Sequence, residues 1–128
     1  MSDQIDTLFV STTFAKNGTP IGEVLEQCRE QKIMNVELGS NHAYDADPLK
    51  VVQQFSCTYL VHNYFPVPKE LLIVNIASLD DTIYGRSKEH IFRSLDFCQK
   101  IGAKLYTFHP GFLSDPEGES RSVENYDF

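Results

Sequence analysis

The sequence predicts an α/β fold built on parallel strands, and three observations lead to this prediction. Four short apolar runs have the length of buried strands, and each ends in polar residues or in a loop that contains glycine. A segment with helical periodicity separates each run from the next. Connections of that kind are crossovers, which place neighbouring strands in parallel. Both a closed barrel and an open doubly wound sheet fit this pattern.

The first unit is predicted to contain a strand at residues 8–11 and a helix that runs to about Gln31. The strand ends in a polar cluster, and a turn follows at residues 17–18. Thr19 is the predicted cap of the helix, and Pro20 is a first-turn proline. The apolar stripe of this helix is formed by Ile21, Val24, Leu25 and Cys28.

The second and third strands are predicted at residues 36–39 and 58–61, on either side of a helix that begins at Pro48. The side chains expected on the buried stripe of that helix are Leu49, Val52 and Phe55. A further apolar stretch at residues 71–77 fits an additional strand or a buried loop, and both interpretations stay open.

The longest helix is predicted to start between Asp81 and Ser87 and to end at Gly102, a residue typical of left-handed C-terminal caps. Its apolar face is expected to contain Ile91, Leu95, Cys98 and Ile101. The fourth strand is predicted at residues 105–108. Residues 114–128 are polar, acidic and without periodicity, so we expect them to form the loop after this strand.

Composition and charge restrict the classes of partner. The 128 residues are enough for one domain or one piece of a domain. The 18 acidic and 11 basic residues give a formal charge of −7 without a cluster of Lys and Arg, which disfavours nucleic acid as a partner. No apolar run is long enough to span a membrane, so we expect no membrane contact. The three cysteines are widely spaced, which favours a reduced, cytoplasmic setting.

Polar side chains occur at all four predicted strand ends, as Thr12, Glu37, His62 and His109. In α/β folds the carboxyl ends of parallel strands open onto the site where ligands bind. A carboxylate and two imidazoles in one cavity suit a divalent metal ion or general acid–base chemistry. The alternatives are a structural, hydrogen-bonded role for each histidine and an ordinary ion pair for Glu37.

Several other residues have a structural interpretation. His42 lies in a polar loop, and His90 is expected on the solvated side of the long helix, beside Lys88 and Glu89. The aromatic side chains that follow strand ends are compatible with a ligand pocket or with a lid over the core, and the lid is the more common outcome. These aromatic residues are Tyr64, Phe65 and Phe112.

Four sequence blocks together resemble a known family. They are His-Asn-Tyr-Phe-Pro at 62–66, Asn-x-Ala-Ser at 75–78, Ile-Gly-Ala at 101–103 and Phe-His-Pro-Gly at 108–111. In this order and spacing they resemble the first half of the xylose-isomerase-like TIM barrels, which include sugar and sugar-phosphate isomerases and epimerases and the endonuclease IV type of AP endonuclease (AP endonuclease family 2). The resemblance implies that residues 1–128 form the first four βα units of a (βα)₈ barrel.

The resemblance also implies roles for individual residues. His62 and His109 correspond to the histidines of strands three and four, which bind metal in the endonuclease branch and line the substrate pocket in the isomerase branch. Tyr64 would flank the substrate, and Glu37 matches the acidic residue at strand two and would be catalytic. The expected cofactor is a divalent metal, Mn²⁺, Zn²⁺ or Mg²⁺. The family's remaining metal ligands belong to strands five to eight, which this chain lacks.

Three functions follow as hypotheses. The first is a metal-dependent isomerase or epimerase that acts on a small sugar or sugar phosphate. The second is an AP endonuclease, which requires a basic surface for DNA that the acidic balance of this sequence does not provide. The third is a half-barrel that binds or assembles without catalysis. Because half a barrel has two unpaired edge strands, we expect self-association or a requirement for a C-terminal half.

Overall fold

The sheet is the framework on which the rest of the chain is arranged. The structure is a computed structural model that describes residues 8–116, and within them it contains one four-stranded, all-parallel sheet in the order β1-β2-β3-β4. The strands are β1 (Val10–Ser11), β2 (Asn35–Leu38), β3 (Thr58–His62) and β4 (Tyr106–Thr107). The helices between them are α1 (Ile21–Glu30), α2 (Pro48–Val52) and α3 (Asp81–Ile101). The predicted α/β class with parallel strands is therefore confirmed.

Strand boundaries differ from the prediction by one or two residues. β1 and β4 are shorter than expected, and β3 extends one residue further, to His62. The chain after β1 turns at once into a short 3₁₀ helix at Thr12–Phe14. The stretch at 71–77 forms no strand: it is a loop in which Val74 and Asn75 are buried. Residues 114–116 follow β4 as a loop, and residues 117–128 of the predicted loop lie outside the described part of the chain.

The first helix has the predicted buried stripe but not the predicted cap. Its buried residues are the four apolar side chains of that stripe: Ile21, Val24, Leu25 and Cys28. Thr19 does not cap the helix, because its hydroxyl donates instead to the carbonyl oxygen of Lys16 at 2.6 Å. Pro20 occupies the cap position without a side-chain hydrogen bond. The loop before α1 is thus closed by Thr19, and the start of the helix is fixed by Pro20.

The second helix is only five residues long. Asp47 caps it by accepting a hydrogen bond from the backbone N–H of Lys50 at 3.2 Å. The backbone N–H of Phe55 bonds three residues back, to Val52, which tightens the chain and ends the helix. Phe55 was expected on the helical stripe, and that prediction is wrong. It packs from the turn against the core instead.

The third helix has the predicted ends and only part of the predicted buried face: Cys98 is buried and Ile101 packs against the core. Asp80 caps its first turn, and Gly102 ends it with φ of 72°. Leu95 was expected to be buried, yet it is 46% exposed. The side chains that face inward are Ser87, His90, Ser94, Phe97 and Cys98. The buried face contains polar residues because they bond to loop backbone, as Ser87 does by accepting from the N–H of Asn75.

The two faces of the sheet have different surroundings. One face packs against the helices, with side chains that are at most 6% exposed: Val36, Leu38, Tyr59 and Val61. The residues that alternate with these point to the other face and are more exposed, such as Thr58 and Thr107. Within residues 8–116, β1 and β4 each pair with a single neighbour. The open face therefore combines polar strand ends with two sheet edges.

Candidate functional site

The carboxyl ends of β2, β3 and β4 bring three of the predicted site residues to the open face of the sheet. The strand register aligns Glu37 with Leu60, and His62 with Thr107. Because residues two apart on a strand point to the same side, Glu37 and His62 share this face. His109 follows β4 two residues after Thr107 and reaches the same side.

His62 and His109 are the pair that the structure brings into contact. Their ring centroids are 5.8 Å apart, and the rings are nearly perpendicular at 81°. Imidazoles that bind one zinc ion through nitrogens at about 2.0–2.1 Å have ring centres roughly 5–6 Å apart. His109 is exposed and His62 is partly exposed, so both rings are accessible from solvent. The separation of the ring centres falls within this range, and the nearly perpendicular rings form an edge-to-face contact.

Thr107 fixes the orientation of His62. The Nδ1 atom of His62 and the hydroxyl oxygen of Thr107 are 2.8 Å apart across β3 and β4. When Nδ1–H donates to this hydroxyl, the lone pair of Nε2 is available to a metal ion. In that tautomer Thr107 would support His62 as hydrogen-bond partners support histidine ligands of metals.

Glu37 lies on the same face. It is aligned with Leu60, which precedes His62 by two residues on β3. The side chain of Glu37 is half-buried. Within residues 8–116 its carboxylate has no hydrogen bond or ion pair. The ordinary ion pair that was the alternative interpretation is therefore not formed within the described residues. A carboxylate of this kind is suited to accept a proton from a ligand on the open face.

A complete metal site is not formed by the described part of the chain. Among residues 8–116, no group of three or more His, Cys, Asp and Glu side chains is close enough to hold a metal ion. His62 and His109 are two nitrogen ligands, whereas a zinc site in proteins has three or four protein ligands. Further ligands would have to come from outside these residues.

Tyr64 is placed by contacts on the side of α3. Its hydroxyl accepts a hydrogen bond from the backbone N–H of Val74 at 2.9 Å, and its ring lies 5.5 Å from that of His90. These contacts join the loop after β3 to the loop before α3. A role for Tyr64 beside a substrate stays a prediction.

Asn75 locks the loop after β4 to the loop that contains the Asn-x-Ala-Ser block. Its side-chain oxygen accepts from the backbone N–H groups of Ala77 and Phe112, both at 3.1 Å. Its side-chain nitrogen donates to Asp115 at 2.8 Å. A Cβ atom at Gly111 would lie 2.2 Å from the same side-chain oxygen, so only glycine fits there. This network positions the loop that carries His109.

His42 has a structural role at the ends of β1 and β2. Its Nδ1–H donates to the carbonyl oxygen of Thr19 at 3.2 Å, and its Nε2 lies 2.7 Å from the hydroxyl of Thr12. That hydroxyl also accepts from the N–H of Gly39 at 2.8 Å. Every hydrogen bond in this set is satisfied when His42 is neutral, and burial lowers its pKa. The structural interpretation of His42 agrees with these contacts.

His90 does not lie on the solvated side of α3, and that prediction is wrong. It is 2% exposed, and its Nε2 bonds to the carbonyl oxygen of Asn63 at 3.0 Å. Tyr106 donates its hydroxyl proton to the same carbonyl at 2.7 Å. Asn63 has a positive φ of 53°, a conformation that asparagine adopts more readily than most residues other than glycine. Burial is the main cause of the lowered pKa of His90.

The comparisons with known proteins bear on the fold. The sequence matches no family model and no curated protein. Among solved structures, the chain is similar to the TTHB071 protein from Thermus thermophilus, described as soaked with ZnCl₂, with a TM-score of 0.52 and 20% identity. The match covers 88% of this chain and 41% of that protein, so the chain spans less than half its length. This similarity shows a shared α/β fold.

No helix within residues 8–116 is long and apolar enough to cross a membrane.

Two contributors to the site were not identified from sequence. Thr107 lies within the predicted fourth strand, but its bond to His62 joins residues 45 positions apart. Asn75 belongs to a block that carries the family resemblance, yet its contact with Asp115 spans 40 positions. The local pattern around each residue contains no sign of these partners.

Proposed function

We propose that this chain forms part of the active-site face of a metal-dependent sugar or sugar-phosphate isomerase or epimerase. The observation that carries the proposal is the contact between His62 and His109 at the ends of adjacent parallel strands. In the finer version of this proposal, the chain is the N-terminal half of a xylose-isomerase-like (βα)₈ barrel. Strands that are adjacent in sequence and adjacent in the sheet support it, as expected for the first four units of such a barrel.

The metal site is proposed to use one nitrogen of each of these two histidines. The 5.8 Å ring separation and the bond from His62 to Thr107 fit this assignment. Zn²⁺, Mn²⁺ and Mg²⁺ are the candidates, and Zn²⁺ suits imidazole best. When bound, the metal would polarise neighbouring carbonyl and hydroxyl oxygens of a sugar. The zinc soak of the TTHB071 protein makes Zn²⁺ the natural first choice for an experiment.

Glu37 is proposed as the group that moves a proton at carbon. Its carboxylate has no partner among residues 8–116, and it shares the open face with His62. Adjacent strands are about 4.8 Å apart and two residues span about 6.6 Å, so a small sugar is large enough to reach both side chains. Tyr64 follows β3 by two residues and contacts the loop before α3 and His90, so its proposed role beside the substrate rests on the family resemblance alone.

The open face is proposed to be covered by further βα units or by a second copy of the chain. Leu105 is 50% exposed on this face, and both sheet edges lack a second neighbour within residues 8–116. The same observation supports the second candidate function, a half-barrel that assembles without catalysis. No contact in the described residues favours the endonuclease, and the charge of −7 opposes binding to DNA.

The proposal is tested by metal-dependent stability. Unfolding by urea is measured for the wild-type chain, for His62→Ala and for His109→Ala, with and without Zn²⁺ or Mn²⁺. A metal at about 100 times its dissociation constant should stabilise the wild-type chain by about 2.7 kcal/mol, and each histidine variant should lose most of this gain. Lys104→Ala, an exposed change next to β4, is the matched control. Equal stabilisation of the wild type and of both histidine variants would contradict the proposal.

The role of Glu37 needs a separate readout. With metal bound, a sugar phosphate in D₂O should exchange a carbon-bound hydrogen, which proton NMR detects. Glu37→Gln should keep the metal-induced stabilisation and lose the exchange, because the amide binds no proton at neutral pH. A chain that self-associates and stabilises with metal, but causes no exchange in either form, would favour the non-catalytic assembly.

A further inference from the structure

A polar cavity lies beside α3, away from the face that carries His62 and His109. It has a volume of about 190 Å³ and is bounded by residues 68–72 and by α3. Its charged and titratable lining consists of Lys69, Glu70, Arg86, Glu89, His90 and Arg93. The proposed isomerase function uses none of these side chains.

The cationic groups of this cavity are only weakly engaged with its carboxylates. Arg86 lies 3.8 Å from Glu70, and Arg93 lies 3.5 Å from Glu89, with side chains that are 45–84% exposed. Arg86 also donates a hydrogen bond to the carbonyl oxygen of Leu71 at 3.2 Å. Ion pairs of this kind contribute little to stability, so an anion can replace the carboxylates at small cost. Lys69 has no ion pair within residues 8–116. Three cations against two carboxylates leave the cavity locally positive within an acidic chain.

The second observation is an unpartnered nitrogen on His90, which lines the same cavity. Its Nε2 donates to the carbonyl oxygen of Asn63, so in the neutral ring Nδ1 is a hydrogen-bond acceptor. This Nδ1 is buried and has no hydrogen-bond partner among residues 8–116. A buried acceptor without a donor is unfavourable, and a ligand that supplies an O–H group would satisfy it.

We propose that this cavity binds the phosphate group, as inorganic phosphate or as a phosphate monoester. Lys69, Arg86 and Arg93 would contact its charged oxygens, for which guanidinium groups provide paired donors. A P–OH group would donate to Nδ1 of His90. Because Nδ1 is closed to solvent in this structure, binding includes an outward movement of the side chains around it.

The test compares anions of similar size that differ in the O–H group. Phosphate, methyl phosphate and sulfate are titrated at pH 6 and constant ionic strength, with calorimetry and with ¹⁵N NMR of the histidine side chains. A monoester has its second pKa near 6, so about half of the methyl phosphate carries a P–OH group there. Sulfate has none and should bind about tenfold more weakly than phosphate, which corresponds to one lost hydrogen bond to a buried group.

Variants on the exposed rim identify the site without disturbing the core. Arg86→Gln and Arg93→Gln should each weaken phosphate binding about tenfold, as expected when a charge-assisted contact is removed. Lys100→Gln, an exposed cation on the same helix that pairs with Asp96, should leave binding unchanged. The ¹⁵N resonance of His90 should shift on addition of phosphate, while that of His109 should not.

The proposal is overturned if phosphate does not bind, or if Lys100→Gln weakens binding as much as Arg93→Gln does. It is also overturned if phosphate binds without a shift of the His90 resonance. Methyl phosphate that binds as tightly as phosphate would identify the ligand class as a phosphate monoester. Binding of inorganic phosphate alone would identify the free ion.

Discussion

His90 and His109 come from neighbouring elements of the chain and have opposite surroundings. His90 is 2% exposed and bonds to the carbonyl oxygen of Asn63, whereas His109 lies exposed on the open face beside His62. Burial lowers the pKa of His90 and makes its neutral form part of the fold. The two histidines therefore differ in what their surroundings permit: the ring of His90 is held inside the fold by a hydrogen bond, and the ring of His109 is accessible to solvent.

The largest expected effect comes from removing the buried imidazole. His90→Ala should lower the free energy of unfolding by about 2–4 kcal/mol, because it removes a buried hydrogen bond and leaves a cavity. His109→Ala should change it by less than about 0.5 kcal/mol, as exposed substitutions usually do. Urea unfolding monitored by circular dichroism measures both values. Equal losses of unfolding free energy in the two variants would show that the buried and the exposed imidazole contribute equally to stability.

The pH dependence of stability should report on the buried histidines. The folded-state pKa values of His42 and His90 lie below the unfolded value of about 6.5, so the unfolded chain binds more protons below that pH. Stability should be complete above about pH 6.5 and fall as the pH decreases toward 5.5, by up to about 1.4 kcal/mol per pH unit for each histidine.

The variants His42→Gln and His90→Gln distinguish the contribution of these histidines to the pH dependence of stability from that of the carboxylates, which titrate at lower pH. Each variant should have a smaller loss of stability than the wild type between pH 7 and pH 5.5. The unfolding midpoint in urea at several pH values is the measurement. A wild-type midpoint that is constant over this range would show that neither imidazole is held neutral by the fold.

The smallest effect on stability is expected at the open face. Thr107→Val removes the bond to Nδ1 of His62 and should change the free energy of unfolding by less than about 0.5 kcal/mol. The same variant should weaken zinc binding about tenfold, because the hydroxyl no longer orients the ring. Thr58→Val, an exposed threonine on the same face of β3, is the control and should bind zinc as the wild type does. An unchanged affinity of Thr107→Val for zinc would show that Thr107 does not support the metal site.

The features that sequence predicted correctly depend on local periodicity. The stripe of α1 follows from apolar residues three and four apart, and all four of them are buried. The contact of His62 with His109 agrees with strand parity, which places alternate residues on the same face. Gly102 ends α3 because a residue without Cβ adopts positive φ most easily.

The features that sequence missed depend on partners far along the chain. His90 has charged neighbours in the sequence, and its buried ring bonds to the carbonyl of Asn63, 27 positions away. Ser87 is buried for a similar reason, since it bonds to the backbone of Asn75 in the preceding loop. Leu95 is exposed because α3 turns its polar residues Ser87, His90 and Ser94 inward instead. Hydrogen bonds to loop backbone overrode the apolar periodicity of this helix.

His62 and His109 are proposed to bind one divalent metal together. Anomalous X-ray diffraction from crystals of the chain soaked with ZnCl₂ tests it most directly. We predict one zinc ion within about 2.1 Å of an imidazole nitrogen of each histidine. Zinc bound elsewhere, or held by only one of the two rings, would contradict the claim.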